Sequence, residues 1–178
     1  MNKRGEAMKY FTPNLWKMLS SLDETKRQNA NAQWKEAWEQ YHKYMEEEVH
    51  NNISKKKWST IIRCHSFHDS IINGIEIINS FYKQKPSMCV SIILDNKIRL
   101  QLINVTHCLF DIHNRVALPC RSFSWGYCEF ELIDNKRIRL SIISDVTNQF
   151  IFEFDNIAIH KWNTTYPQTS CSPQDRVY

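Results

Sequence analysis

The sequence predicts an α+β fold in which N-terminal helices, one of them long and amphipathic, pack on a C-terminal antiparallel sheet of about six to eight strands. Three observations predict it. Apolar residues recur at spacings of three and four through Ala30, Trp34, Ala37, Trp38, Tyr41, Met45 and Val49, the period of one helical face. From Ile71 onward β-branched residues dominate and the period changes to two, as in strands. The change falls within Phe67-His68-Asp69-Ser70-Ile71-Ile72-Asn73-Gly74-Ile75-Glu76-Ile77-Ile78, so helix is expected before this stretch and strand after it.

Met8-Lys9-Tyr10-Phe11 is short and apolar enough for a strand or a docking arm. Thr12-Pro13 then reads as an N-cap followed by proline at the first helical position, opening a short helix with Leu15, Trp16 and Leu19 on one side. Ser21-Leu22-Asp23-Glu24 has the pattern of a capping box for the long helix, with Ser21 and Glu24 as its reciprocal pair. Asn51-Asn52 is the expected stop. A third helix is predicted from Lys55 to about Cys64, capped by Ser54, with Trp58, Ile61, Ile62 and His65 as its buried stripe. Lys55, Lys56 and Lys57 in its first turn oppose the helix dipole, a small cost that an anionic partner would relieve.

The β part begins with a strand from Ile71 in which Gly74 suggests a bulge or a close backbone approach. Two hairpins follow. Ser87 to Leu94 and Ile98 to Ile103 flank Asp95-Asn96-Lys97, and Tyr127 to Ile133 and Ile138 to Ile143 flank Asp134-Asn135-Lys136. The similarity of these turn strings is read as shared turn chemistry, since two copies fall short of a solenoid. A last pair of strands, Gln149 to Phe154 and Ile157 to Trp162, is expected around Asp155-Asn156, with Phe150, Phe152 and Phe154 on one face. The expected organisation is a flexible extension at 1–7, a single domain at 8–162 with its helical part at 12–66 and its β part at 69–162, and a poorly ordered tail at 163–178.

Composition narrows the function classes. The 178 residues are 42% hydrophobic and 24% charged, enough for one core and close to the soluble average. No apolar run approaches the roughly 20 residues of a spanning helix. The N-terminus has no apolar segment of the kind a secretory signal needs, so a cytoplasmic location is expected. In a reducing compartment Cys64, Cys89, Cys108, Cys120, Cys128 and Cys171, which form no C-x-x-C pair, read as thiols packed as small hydrophobes. A net charge of +4 is mild for a nucleic-acid binder, so nucleic acid is a disfavoured partner and contact through Lys55, Lys56, Lys57 and Arg63 a minor alternative. Three glycines, Gly5, Gly74 and Gly126, cannot build a phosphate-cradling loop, which excludes nucleotide chemistry of that kind.

Only Cys64-His65-Ser66-Phe67-His68-Asp69 resembles a reactive cluster. If the helix ran on to Asp69, His65 and His68 would share a face with Asp69 beside them, a partial metal site for a hydrolase. The preferred reading makes His68 and Asp69 a helix-to-strand corner, with Asp69 accepting local backbone N–H bonds and His68 packed with a hydrogen-bonded ring nitrogen. No catalytic residue and no cofactor are assigned. A cysteine nucleophile, Cys64 or Cys108 beside His65 or His107, lacks an identifiable orienting group. Of the six tryptophans, Trp34 and Trp38 read as core. Trp125, with Phe123 and Tyr127 in a loop around Gly126, is the best candidate for an exposed aromatic anchor of a protein interface.

Met8-Lys9-Tyr10-Phe11-Thr12 with Leu15-Trp16, a charged helix, and Phe67-His68-Asp69 before an isoleucine-rich strand resemble a bacterial family of unknown function found largely in Bacillus-type organisms. The resemblance covers about residues 8–162. It implies that Met8 matches the family's usual start, and it carries no activity or catalytic residues. The layout is also similar to immunity-type proteins that protect bacteria from polymorphic toxins by occlusion. Inhibitors of nuclease toxins tend to be acidic, and this chain is basic, so inhibition of a nuclease is disfavoured and an acidic toxin stays open as the partner. The expectation is a binding module for another protein.

Overall fold

The computed structural model describes residues 8–82, 85–95, 97–112, 123–134, 136–144 and 148–161. Residues 1–7 and 162–178, and with them Trp162 and Cys171, lie outside these, as do Cys120 and His113. The fold is α+β. Helices α1 (Pro13–Leu19), α2 (Glu24–Tyr44) and α3 (Lys55–Cys64) precede strands β1 (Ile71–Tyr82), β2 (Lys85–Leu94), β3 (Ile98–Asp111), β4 (Phe123–Ser124), β5 (Cys128–Leu132), β6 (Ile138–Ser144) and β7 (Asn148–Lys161). The seven strands form one antiparallel sheet in the order β4-β1-β2-β3-β7-β6-β5.

Capping chemistry fixes the helix starts. Thr12 Oγ1 accepts from Leu15 N at 3.2 Å with Pro13 next in line, and Ser54 Oγ accepts from Lys57 N at 3.3 Å; such caps contribute about 0.5–2 kcal/mol each. The capping box does not form. Asp23 is the N-cap of α2, accepting from Lys26 N at 3.1 Å, while Ser21 Oγ accepts from Asp23 N and Glu24 turns outward to Arg27 and Gln28. Ser21 and Asp23 compete here, and the carboxylate, a stronger acceptor than a hydroxyl, takes the position. At its other end α2 widens into a π-turn over Met45–Val49 and a 3-10 turn over His50–Asn52, which keeps Met45 and Val49 buried.

The stripe of α3 is Ile61 and Cys64, with Trp58 partly buried; Ile62 faces outward. Trp38, expected in the core, is also exposed, resting against Phe11.

Both predicted hairpins form, β2–β3 and β5–β6, the second with the Asp134 carboxylate accepting from Lys136 N and Arg137 N at 2.9 Å each. The last pair of strands does not: Asn148–Lys161 is one strand. Asp155 and Asn156 do not turn the chain. They are the point at which the alternation slips by one, because Phe150, Phe152 and Phe154 are buried on one parity and Ile157 on the other. The neighbouring strand slips in step. Leu102 and Val105 are both buried on either side of Asn104, whose φ is 56°, and Asn104 Nδ2 donates to Asp155 Oδ2 at 2.5 Å. A second irregularity lies between Val105 and His107. In β1 the register shifts between Ile72 and Gly74, the bulge the glycine suggested. No close approach accompanies it, for a Cβ on Gly74 would meet nothing within 4 Å.

The two ends of the sheet are joined by only three residues, Trp125-Gly126-Tyr127, between β4 and β5. Trp125 N donates to Ser70 O and Trp125 O accepts from Asp69 N on one side; Gly126 N donates to Ile143 O and Tyr127 O accepts from Ile143 N on the other. This seam curls the sheet. Helices and sheet share one core, in which Phe11, Tyr41, Val49, Ile61 and Phe67 pack with Ile92, Leu100, Leu140, Phe150 and Phe152.

Candidate interaction surface

The helix-to-strand corner forms as a joint. A 3-10 turn over His65–Phe67 ends α3's run, and Asp69 takes a left-handed φ of 68°, a conformation Asp tolerates better than most residues. Among the described residues no backbone N–H donates to the Asp69 carboxylate, which corrects the expectation. The carboxylate is exposed and lies 2.7 Å from His68 Nδ1, while the Asp69 backbone N–H donates to Trp125 O. The His68 ring meets the Tyr127 ring edge-on at 4.5 Å.

His65 points elsewhere. Its Nε2 lies 3.3 Å from the Tyr41 hydroxyl, and burial first, then His42, pulls its pKa below the ordinary histidine range. Burial pushes the Tyr41 phenol well up. A neutral imidazole and a protonated phenol fit one arrangement, Tyr41 O–H donating to His65 Nε2. His65, His68 and Asp69 therefore do not converge. Among the described residues no group of three His, Cys, Asp or Glu could hold a metal ion.

The cysteine alternatives fare no better. Burial raises the Cys64 thiol well above its usual value and the Cys128 thiol to about 12, the reverse of activation. His107 and Cys108 are neighbours on β3 and face opposite sides of the sheet. None of Cys64, Cys89, Cys108 and Cys128 is in a disulfide.

The aromatic loop is internal. Trp125 is 1% exposed, and its ring meets Phe67 at 88°. Phe123 packs edge-on against Phe150 at 5.2 Å, and Tyr127 against Trp34 at 4.4 Å. Of the surface anchor expected at Phe123, Trp125 and Tyr127, Trp125 is thus buried in the seam, with Phe123 and Tyr127 half-buried on either side of it. Lys55 and Lys56 are exposed on the first turn of α3, and Lys57 is half-buried.

Two arrangements escaped the sequence. The first is the anchor of the expected docking arm. Met8 and Phe11 are buried, and the backbone N–H groups of Lys9, Tyr10 and Phe11 all donate to the Glu129 carboxylate, at 2.8, 2.7 and 2.5 Å. Burial, partly offset by these donors, holds the Glu129 carboxyl above the ordinary range. Beside it lies a cavity of about 800 Å³ between the arm, Tyr44 and the sheet face carrying Glu131, Arg139 and Ser141. Its charges are already matched: Arg139 pairs with Glu131 at 2.8 Å and with Glu153 at 2.7 Å. The Lys9 ammonium sits over the rings of Tyr10 and Tyr44 at 5.1 and 5.8 Å.

The second is a difference between the two sides of the sheet. On β5 the outward N–H groups of Phe130 and Leu132 donate to the hydroxyls of Tyr41 and Tyr44, at 2.8 and 2.9 Å. These tyrosines are one helical turn apart on α2, so one helix face seals that edge. At the other side β4 accompanies β1 only at Ile71 and Ile72; among the described residues no strand lies on the side of β1 away from β2 from Asn73 to Tyr82. Phe81 there is 79% exposed, Ile77 52% and Ile78 43%. A shallow groove of about 460 Å³ lined by Asn79, Phe81, Pro86, Ser87 and Met88 adjoins them. The signal was present in the sequence as an uncharged Ile-Ile-Asn-Ser-Phe-Tyr run, which reads equally well as a buried strand.

No helix among the described residues is long and apolar enough to cross a membrane. Compared with known proteins, the chain matches no protein family, and neither a curated protein nor a solved structure is similar to it.

Proposed function

We propose that this chain is a non-catalytic, cytoplasmic protein-binding module whose contact surface is the β1–β2 hairpin. One observation carries the reading: Phe81 and Ile77 are exposed on one face of β1, at 79 and 52%, with Ile78 at 43% on the other. A clustered apolar patch with a large aromatic at its edge is the usual mark of an interface, where one ring in a pocket of the partner supplies much of the affinity. Trp125, buried in the seam, is not available as an anchor, and Phe81 takes that role in this reading.

In its most concrete form the module is immunity-like, a bacterial inhibitor that occludes a toxic partner. The helix, His-Asp, sheet layout supports this, and the net charge of +4 favours an acidic partner over a nuclease. Metal-assisted hydrolysis by His65, His68 and Asp69 gains no support, since His65 is bonded to Tyr41 and faces away from the other two.

A photo-crosslinking residue at position 81, expressed in the native host with the neighbouring gene products, tests the reading. It should capture one discrete protein, and the same residue at Ile133, on the β5–β6 turn, should not. Equal capture at both positions, or none at 81, overturns it.

A further inference from the structure

The exposed strand is self-complementary. Ile77, Asn79 and Phe81 alternate on one face of β1, with Asn79 at the centre and two bulky apolar groups flanking it. We propose that the first partner of this surface is a second copy of the chain, with β1 running antiparallel to the partner subunit's β1 about a two-fold axis at Asn79. This rests on the reading that the hairpin surface binds protein, and it names the occupant.

Antiparallel pairing about residue 79 sets Ile77 against the partner's Phe81 and Phe81 against the partner's Ile77. These are the aromatic and β-branched cross-strand pairs that stabilise sheets most consistently. The two Asn79 amides meet at the axis, where each can donate to the other's oxygen. Residue i contacting j while j contacts i is the isologous pattern of two-fold dimers, the commonest symmetric assembly.

Charge points the same way. No charged residue occurs from Ile77 to Tyr82, so self-pairing brings no like charges together. Sheet edges in monomers are ordinarily blunted by lysine, proline or a covering element. The β5 edge is covered in just this way by Tyr41 and Tyr44, and β1 beyond Ile72 has no such cover among the described residues.

A five-residue strand pair buries less than the roughly 800 Å² per partner of a standard interface, so a dissociation constant on the order of 10 µM is expected. Each chain carries +4, and added salt, by screening that repulsion, should tighten the dimer.

Sedimentation of the full chain across that concentration range, alone and as Asn79→Lys and Asn79→Glu, tests the proposal. Position 79 is exposed, so both variants keep the wild-type melting temperature. Each alone should weaken self-association at least tenfold by placing like charges at the axis, and an equimolar mixture should restore it. A wild type monomeric to several hundred micromolar overturns the proposal, as does a dimer that either substitution leaves intact or that mixing fails to restore. Phe81→Ser separates the two readings. If the wild type is monomeric yet Phe81→Ser abolishes crosslinking at Ile78 to another protein, the hairpin still binds protein and only the self-pairing falls. If Phe81→Ser changes neither self-association nor crosslinking, both fall.

Discussion

Glu129 anchors the N-terminal arm, and its removal should separate two effects that usually arrive together. In Glu129→Ala the N–H groups of Lys9, Tyr10 and Phe11 lose their shared acceptor. Lys9 is exposed and water can replace its bond, but Phe11 is buried and Tyr10 half-buried. Two stranded donors at about 1–3 kcal/mol each, with some loss of Phe11 packing, give a destabilisation of about 3–5 kcal/mol. For a chain of this length that lowers the melting temperature by about 10 °C. Glu129→Gln should behave differently. Its amide oxygen can keep the Tyr10 and Phe11 bonds that Oε1 accepts, giving up only the Lys9 bond. The charge itself contributes little on balance, because burial outweighs the three donors and holds the carboxyl above its ordinary range. The cost of Glu129→Gln at neutral pH should be within about 1 kcal/mol. The same direction fixes the pH dependence. A carboxyl raised in the folded state contributes stability that is fully present below its unfolded pKa and lost as pH rises through its folded value. Thermal unfolding followed by circular dichroism from pH 4 to 7 should show the wild type losing stability relative to Glu129→Gln as pH rises across the window above the ordinary carboxylate range. A Glu129→Gln protein as unstable as Glu129→Ala at pH 7 would refute the reasoning, since it would make the charge, not the acceptor, the anchor.

The remaining predictions concern the seam, the sealed edge and His65. Gly126→Ala should cost roughly 1–3 kcal/mol in urea unfolding, because its Cβ would lie 2.2 and 2.6 Å from Trp16 ring atoms and 2.8 Å from the Ile143 carbonyl oxygen; Gly74→Ala, with open space around it, should be neutral or gain up to about 1 kcal/mol. Tyr41→Phe strands a buried Phe130 N–H and should cost about 1–3 kcal/mol, whereas Tyr44→Phe, at a half-buried site that water reaches, should cost under about 1 kcal/mol; equal costs would show that the helix does not seal the edge as described. Burial and His42 hold His65 below its ordinary pKa, so its contribution is present above that value and lost as pH falls through the folded one. His65→Gln should flatten the stability profile below about pH 6.5.

Much of the architecture was legible because it is written locally. Thr12-Pro13 and Ser54 mark helix starts whose donors lie three residues on, and Asp134 holds its turn through Lys136 and Arg137. The same chemistry misled where the deciding contact was distant. Asp155-Asn156 looks like the other two hairpin turns, yet its role is set by Asn104, 51 residues away, which slips in step with it and lets the strand continue. A dipeptide that can turn does so only if no neighbouring strand offers its backbone a ladder to stay in.

The candidate surface was illegible for a related reason, and the two misplaced aromatic groups explain each other. Phe123, Trp125 and Tyr127 flank a glycine, and loop residues ordinarily lie at the surface. Here the loop joins the first and last strands in sheet order, so curling the sheet draws it inward. Ile77, Ile78 and Phe81 sit in a run that reads as a buried strand, and curling leaves them on the flank opposite the edge that α2 covers. Burial of an aromatic in a sheet protein is thus decided by strand order, which no local pattern encodes. Glu129 makes the same point from the polar side. In Cys128-Glu129-Phe130-Glu131-Leu132 the two glutamates occupy equivalent outward positions, yet Glu131 pairs with Arg139 at the surface while Glu129 is buried beneath an arm 118–120 residues away. What distinguishes them is which one the arm crosses, and the arm's path is set by Phe11 entering the ring cluster of Trp34, Tyr41 and Tyr127.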